Sequence, residues 1–353
     1  MRRAALAALA GLFLLLCLLP AMPLPLPGVF AAPLNAPGTL QILALCLVFG
    51  GVALSYDLLF GYTGLLSFGH ALFFAAGAYA ANIALSRWGW GPASAVAFAA
   101  AAGIVLPLAI GAVALRVSGI AFAMVTLAFA QAGAIVAFSD PGHLTGGEEG
   151  LGLVVTRLPA FLVGVVNTRY LYWLALAYVA AVSLASGWLV NSRPGRIWQA
   201  IRENELRAEV LGVRAYPHKL MSFVAGGFLA ALGGVVYLFV VGGTAPGITT
   251  AGLSLALLVM VVLGGAGSLW GAVIGGALYE YLDFRLVALA GSSQIAGLPA
   301  WLRVPLGQPL FILGTVFILF VVFFPGGIAA IPARLRTAFE GRARETSAAG
   351  ESA

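Results

Sequence analysis

Charged side chains are scarce in this sequence. Only 8% of its 353 residues are Asp, Glu, Lys or Arg, whereas hydrophobic residues make up 62%. Ordinary soluble domains carry roughly 25% charged residues, so this composition excludes a typical soluble protein. The shortage of charge indicates a polytopic membrane protein.

Lysine and cysteine are also rare. The single lysine, Lys219, follows the residues RAYPH, which contain no glycine. A P-loop needs a glycine-rich turn ending in the lysine that reaches the terminal phosphates, so the chain carries no nucleotide-binding domain of that kind. The two cysteines, Cys17 and Cys46, lie in apolar runs without metal-ligand spacing. We therefore expect no disulfide framework, no metal site and no cofactor bound by this chain.

Long apolar runs occupy most of what remains. A helix that spans the hydrocarbon core needs about 20 predominantly apolar residues, and we identify ten candidate segments on that basis. They cover approximately residues 4–20, 39–60, 65–85, 92–115, 119–138, 170–190, 219–242, 251–265, 269–290 and 308–331. The eighth and ninth nearly merge, so the count is eight to ten. Long runs rather than short alternating strands predict an all-α bundle of transmembrane helices.

The distribution of Lys and Arg predicts orientation. Alternating spans place 13 of the 18 basic residues on the same side as residues 192–219, and the positive-inside rule makes that side cytoplasmic, together with both termini. The protein is thus predicted to be a multi-pass membrane protein. Its sequence pI of about 9.6 then reflects topology and contact with anionic membrane lipid rather than nucleic acid.

Three regions follow from these patterns. Residues 1–38 are predicted to form an N-terminal transmembrane segment and a Pro-rich outer loop. The first segment also fits a signal peptide, but the Pro-rich stretch is a poor cleavage site, so we expect it to be retained. Residues 39–331 form the main membrane domain, and residues 332–353 a cytoplasmic tail predicted to be disordered.

One loop, residues 191–218, concentrates the charge. Nine of the 30 charged residues fall between Ser192 and Lys219. The spacing predicts one amphipathic helix that starts after Ser192 and ends at Gly212, with Glu203 and Arg207 placed to form an ion pair. Its narrow apolar arc consists of Ile197, Ala200, Ile201, Asn204, Ala208 and Leu211. Such a helix can lie on anionic lipid, but its central acidic residues favour a protein partner.

This loop resembles the cytoplasmic loop of permease subunits from branched-chain amino acid ABC importers of the LivM type. The resemblance lies in GRIWQAIRENELRAEVLGV and the span after it, and extends over about residues 39–330. Four further stretches occur in the family's order: YDLLFGYTGLLSFGHALFFAAGAYAA, TLAFAQ, LTGGEEGL and VLGGAGSLWGAVIGG.

The resemblance implies a set of partners. Such a subunit pairs with a second, homologous permease, two cytoplasmic ATPase subunits attach to the pair, and a periplasmic solute-binding protein delivers the solute. ATP and Mg²⁺ are used by the ATPases, so this chain is not itself an enzyme. The charged loop then inserts into an ATPase as a coupling helix, and Glu203, Ala208 and Gly212 match the skeleton of that loop.

Polar residues at two places are candidates for the substrate path. One group begins the third segment, where glycines permit a broken helix, and consists of Tyr62, Thr63, Gly64, Ser67, Gly69 and His70. The other is Thr126 and Gln131 in the fifth segment. Hydrogen bonding between helices is the alternative role for each of these groups. In the predicted outer loop, Thr145, Gly146 and Gly147 are expected to face the binding protein or cap the cavity, unless they form only a solvated turn.

Two departures from the family pattern leave the substrate open. Asp57 stands where many relatives carry Asn, and Leu66 where Gln is common. Urea, short amides and other small organic solutes are therefore alternatives to branched-chain amino acids. A self-sufficient ion-coupled carrier using Asp57, His70 or Glu280 is a second class of function, and a membrane assembly protein without transport activity is a third.

Overall fold

The computed structural model describes most of the main membrane domain. The described residues are 11, 13–25, 30, 32–164, 167–290, 307–324 and 326–331. Residues 4–10 and 12 of the predicted first segment, residues 291–306 and the predicted disordered tail lie outside the described residues.

Helices dominate the described part of the chain. Eleven of them are labelled here: α1 Pro37–Asp57, α2 His70–Ser86, α3 Pro92–Ala114, α4 Ile120–Ser139, α5 Thr168–Asn191, α6 Arg193–Glu203, α7 Glu205–Val210, α8 Ala215–Val241, α9 Ala251–Gly264, α10 Leu269–Ala290 and α11 Pro309–Phe323. Strands β1 Leu151–Gly152 and β2 Gly243–Thr244 pair antiparallel. The protein is thus an all-α polytopic membrane protein, as predicted.

Within the described residues, six helical segments are long and apolar enough to cross a membrane. They are α1 with its extension to Thr63, then α3, α4, α5, α8 and the segment from Pro309 to Ala330. The shorter apolar helices α2 and α9 occupy two further predicted segments, and α10 has the predicted bounds 269–290. The eighth and ninth segments are two helices separated by a turn at residues 265–268.

Helix α1 continues into a single π-helical stretch, Leu58–Thr63. Gly64 ends it with φ +79°, a left-handed conformation that glycine adopts without steric cost. Residues 64–69 are not helical, and α2 begins only at His70. The predicted segment 65–85 therefore starts five residues too early. Its first residues are apolar enough for a helix, but the left-handed Gly64 allows the chain to turn instead.

The helices pack through glycine. Six glycines have so little space that an added Cβ would lie within 3.0 Å of an atom on another helix; they are Gly226, Gly227, Gly233, Gly234, Gly271 and Gly275. At Gly234 that atom is the backbone oxygen of Phe74, at 1.9 Å. Close backbone approach is how helices associate in lipid, and here it brings α2 against α8.

The charged loop contains two helices, not the single helix predicted. Asn204 has φ −163° and ψ 105°, an extended conformation that separates α6 from α7. Its side-chain oxygen accepts a hydrogen bond from the Arg207 N–H at 2.9 Å and so caps α7. Asparagine favours helix caps over helix interiors because its side chain competes for backbone groups. The predicted boundaries hold: Ser192 caps α6, and Gly212 ends α7 with φ +88°.

Candidate functional site

The charged loop is fixed to the membrane helices at several points. Trp198 has no exposed surface, and its indole Nε1–H donates to the His218 carbonyl at 2.8 Å. Lys219 and Glu205 form an ion pair that joins α8 to α7. Beneath the loop, Ile201, Ala208 and Ala215 form a small buried cluster. These contacts hold the loop in one position against the bundle.

Three large apolar side chains are exposed on α7 and at its C-terminal end. Leu206, Val210 and Leu211 are 74%, 88% and 78% exposed, and we call these three residues the α7 patch. Leu211 was predicted to share one apolar arc with Ile201 and Ala208; these two are buried, but the break at Asn204 changes the direction of α7 relative to α6, and Leu211 is exposed. Exposed large apolar side chains that lie together are typical of an interaction surface.

The three predicted coupling residues take different positions. Ala208 is buried at 4% exposure, Glu203 is exposed at the end of α6, and Gly212 forms the left-handed stop. The predicted ion pair between Glu203 and Arg207 does not form, whereas Glu205 of α7 pairs with Lys219. The physical reason is the extended Asn204, which places the two residues on separate helices.

Arg202 connects the loop to two breaks in the membrane helices. Its guanidinium Nη1 donates to the carbonyl of Gly61, within the π-helical stretch. The Asp57 Oδ1 atom accepts a hydrogen bond at 2.8 Å from the N–H of Gly267, in the turn between α9 and α10. Asp57 has no exposed surface. Sequence reasoning placed Asp57 near the substrate path and gave Arg202 no partner, because the bonded residues are 210 and 141 positions apart.

Residues 62–70 satisfy most of their polar groups internally. Thr63 Oγ1 donates to the Leu58 carbonyl at 2.9 Å, and Ser67 Oγ accepts from the Gly69 N–H at 3.2 Å. Tyr62 is buried at 8% exposure, whereas Gly64 is exposed. In this conformation the hydroxyls of Thr63 and Ser67 shape the turn.

His70, the first residue of α2, is fully buried. Its Nε2 lies 2.9 Å from Ser55 Oγ, and that hydroxyl donates to the Val52 carbonyl at 2.6 Å. The serine oxygen therefore accepts from Nε2–H, which leaves Nδ1 as an acceptor without a partner among the described residues. The adjacent Ala71 N–H donates to Ser254 Oγ at 3.1 Å, a residue that sequence reasoning missed although it is a lone hydroxyl in an apolar helix.

Helix α4 carries the other two predicted path residues, and they differ. Thr126 is buried; it donates to the Ala123 carbonyl and accepts from the Phe68 N–H at 3.1 Å. Gln131 is exposed, and its amide makes no hydrogen bond within the described part of the chain. It lies about 16 Å along α4 from Ile120, at roughly 1.5 Å per residue, which is near the middle of the helix.

A crevice lies where α4 begins. Its volume is about 310 Å³, and it runs between residues 64–68 and residues 119–124. The side chains that line it are apolar: Leu65, Leu66, Phe68, Ile120, Phe122, Ala123 and Met124. Met124 and Gln131 are seven residues apart and therefore share one face of α4. The crevice and the free amide thus lie along the same side of this helix.

The predicted outer loop is a compact turn at the opposite end of α4. Asp140 Oδ1 accepts hydrogen bonds from the Thr145 N–H at 2.7 Å, the Thr145 hydroxyl at 3.0 Å and the Gly146 N–H at 2.9 Å. Desolvation opposes ionisation, but these hydrogen bonds outweigh it and lower the pKa of Asp140. Gly146 and Gly147 have φ +82° and +58°, and Glu148 and Glu149 are exposed.

The β1–β2 pair anchors this turn. The Asn82 amide of α2 donates to the Leu151 carbonyl at 2.7 Å and to Thr244 Oγ1 at 3.1 Å. Asn82 was also missed, although a buried amide in an apolar helix must find partners. It fixes the end of the bundle opposite the charged loop.

This chain is similar in sequence to permease proteins of transport systems. The chain is 26% identical to the high-affinity branched-chain amino acid transport system permease protein LivM of Escherichia coli K12 over 293 residues, covering 72% of this chain and 67% of LivM. It is 33% identical over 168 residues to the autoinducer 2 import system permease protein LsrC of Klebsiella pneumoniae, covering 44% of each chain. No solved structure matches the chain.

A family model covers more of the chain than the match to LsrC does. It is described as the permease component of the branched-chain amino acid transport system, and it matches residues 38–321. The match includes the π-helical stretch, the crevice, the charged loop and the turn between α9 and α10. This chain, a multi-pass membrane protein, belongs to the family of branched-chain amino acid transport system permease components.

Proposed function

We propose that this chain is the permease subunit of an ATP-driven importer in a bacterial inner membrane. Its partners are a second permease, two cytoplasmic ATPase subunits that use ATP and Mg²⁺, and a periplasmic solute-binding protein. The observation that carries this proposal is the α7 patch. Three exposed apolar side chains sit on a loop that is itself anchored to the membrane helices, so a partner that binds the patch can push on the bundle.

A protein surface explains the α7 patch better than lipid does. The loop carries six basic and three acidic residues between Arg193 and Lys219, and the acids Glu205 and Glu209 lie on α7 itself. Anionic lipid would repel these acids, whereas a protein groove can match both signs of charge. The patch is the contact with the ATPase; buried Ala208 and the left-handed Gly212 set its position, and exposed Glu203 adds a charged group to the same contact.

The substrate path borders α4 and residues 62–70. Tyr62, Thr63, Gly64, Ser67 and His70 form the turn on one side. Met124 of the crevice and the amide of Gln131 lie on the facing helix, with Thr126 holding the two elements together. An amide without a partner is costly in hydrocarbon, so its exposure near the middle of α4 favours a polar path or a polar partner there. Thr145, Gly146 and Gly147, beside exposed Glu148 and Glu149, face the binding protein.

The substrate is a branched-chain or related amino acid. The apolar crevice accommodates an aliphatic side chain, and Gln131 offers one polar group on the same side of α4. Autoinducer 2 is a second candidate, since the LsrC relatives reach 33% identity over part of the chain. Urea and short amides remain alternatives because Asp57 and Leu66 differ from the family pattern.

Uptake by cells tests the proposal. A strain lacking the gene would be compared with the wild type for accumulation of radiolabelled leucine, autoinducer 2 and urea. We expect loss of leucine uptake, restored by the intact gene. Loss of only autoinducer 2 or only urea uptake would reassign the substrate, and unchanged uptake of all three would contradict the transport role we propose for these solutes.

A second measurement tests the docking surface. Leu211→Asp places a charge in the α7 patch, so the ATPase subunits should no longer co-purify with the permease. The control, Leu211→Met, keeps an apolar side chain of similar volume and should retain them. Equal recovery of ATPase with both variants would rule out the patch as the docking surface.

A further inference from the structure

Three segments that are distant in sequence meet beside Asp57. They are the π-helical stretch at Gly61, the turn between α9 and α10 at Gly267, and α6 of the charged loop at Arg202. Asp57 Oδ1 accepts a hydrogen bond from the Gly267 N–H at 2.8 Å, and Arg202 Nη1 donates one to the Gly61 carbonyl. We call Arg202, Asp57, Gly61 and Gly267 the clamp.

The residues of the clamp are closely packed, with no room for a side chain at Gly61. A Cβ added at Gly61 would lie 1.9 Å from Asp57 Oδ1 and 2.3 Å from the Gly267 nitrogen. One added at Gly267 would lie 2.9 Å from Arg202 Nη1, and one added at Gly64 would lie 3.2 Å from the Arg202 Cγ atom. Arg202 is therefore in contact with both breaks in the membrane helices, and the loop cannot shift without moving them or losing these contacts.

The charges of the clamp are complementary but not fully paired. The second carboxylate oxygen of Asp57, Oδ2, is buried and has no hydrogen-bond partner among the described residues. Arg202 is the cation that acts on this carboxylate. A guanidinium has five N–H donors in a rigid fork, so Arg202 can bind a second acceptor while it keeps the carbonyl of Gly61. A lysine ammonium has three N–H donors, but they share one nitrogen and cannot bridge two acceptors in the geometry of the guanidinium fork.

We propose that Arg202 and Asp57 transmit displacement of the charged loop to the π-helical stretch and the α9–α10 turn together. The inference rests on the proposed function, because it requires an ATPase that moves the loop. Arg202 pulls on the Gly61 carbonyl, Asp57 carries the movement to Gly267, and the free Oδ2 is the acceptor that Arg202 gains as the loop shifts. Both are positioning residues, since neither lines the crevice.

Coupling between hydrolysis and import tests the clamp. The measurement is radiolabelled leucine imported per ATP hydrolysed by the whole importer in proteoliposomes with its binding protein. We expect Arg202→Met to lower this ratio about fivefold or more, the lower end of typical coupling between sites, while the ATPases still co-purify because the α7 patch is unchanged. Arg196→Met is the matched control. Arg196 is also exposed on α6, and its side chain makes no hydrogen bond or ion pair with the described residues.

A second variant separates charge from folding. Asp57→Asn keeps an oxygen that accepts from the Gly267 N–H but removes the carboxylate charge, so it should assemble and still lower the ratio. In the double variant, with both substitutions, the ratio should fall by less than the two single effects combined. The reason is that both substitutions remove the same interaction, the one between Arg202 and Asp57. A wild-type ratio in Asp57→Asn would overturn the pairing even if Arg202→Met does not assemble. Additive losses in the double variant would overturn it as well. A wild-type importer that moves none of the tested solutes would instead contradict the proposed function.

Discussion

Gly61 has no room for a side chain, and this has a measurable consequence. We expect Gly61→Ala to destabilise the protein by about 1–3 kcal/mol, the usual cost of overpacking a filled site. The added methyl group would displace Asp57 or Gly267, whose atoms lie 1.9 and 2.3 Å from the Cβ position. Thermal unfolding in detergent measures the effect.

The control for that variant lies in the same helix. Nothing lies within 4 Å of a Cβ added at Gly38, so Gly38→Ala should unfold at the wild-type temperature or slightly above it, because alanine favours helix over glycine. Equal unfolding temperatures for the Gly61 and Gly38 variants would show that the close approach of Gly61 and Gly267 is not needed for stability.

Single residues were predicted best where their role is local. Ser192 precedes the helices of the charged loop and Gly212 ends them, as expected, because capping and left-handed stops depend on a few neighbouring positions. Asn204 was assigned to a helix because the apolar spacing continues across it. The Arg202–Gly61 contact joins residues 141 positions apart, so no local pattern could have indicated it.

At the scale of elements, α7 depends on its cap. Asn204→Ala removes the hydrogen bond to the Arg207 N–H, a loss of about 1 kcal/mol for a typical N-cap. The six-residue helix has few other internal bonds, so the α7 patch should lose its fixed geometry. We expect about fivefold weaker binding of the ATPase subunits, in proportion to that free energy. Gln199→Ala, an exposed change on α6, should bind like the wild type; a similar loss there would argue against the cap.

The turn at residues 140–150 depends on a carboxylate. Because hydrogen bonds lower the pKa of Asp140, its stabilising effect is fully present above the ordinary Asp pKa of about 3.9. It is lost only as the pH falls through the lower value in the folded protein. Hydrogen exchange at the Thr145 and Gly146 amides should therefore show equal protection from opening at pH 7 and pH 5, after correction for the intrinsic exchange rate.

Removing the carboxylate should abolish that protection. We expect faster exchange of these two amides in Asp140→Ala at pH 7, while Glu148→Ala, an exposed acid in the same turn, leaves them unchanged. Slow exchange in Asp140→Ala would mean that the turn is held by its glycines and the Thr145 hydroxyl bond to Ala137 at 2.9 Å.

Elements were predictable in so far as hydropathy determines them. The bounds of α3, α9 and α10 agree with their apolar runs to within one residue, because lipid requires continuous helix. Residues 65–69 do not follow their hydropathy. Their apolar side chains match a helix, but the turn is set by Gly64 and by the hydrogen bond from the Phe68 N–H to Thr126 in another helix, which hydropathy does not record.

For the whole molecule, the source of energy distinguishes the importer from an ion-coupled carrier. His70 is buried against Ser55, and Asp57 is bonded to Gly267, so each has a role in holding helices together. We expect leucine uptake in ATP-loaded vesicles to continue after a protonophore and ionophores collapse the ion gradients. Uptake that stops with the gradients while ATP remains would favour the carrier.

The α7 patch also bears on how the protein is made. Leu206, Val210 and Leu211 are exposed on a loop outside the bundle, where water rather than lipid surrounds an unassembled subunit. In the proposed importer the ATPase covers these side chains; before assembly they are available to chaperones, proteases and other copies of the chain. We therefore expect the subunit made alone to be short-lived, and the ATPase to set how much of it accumulates in the membrane.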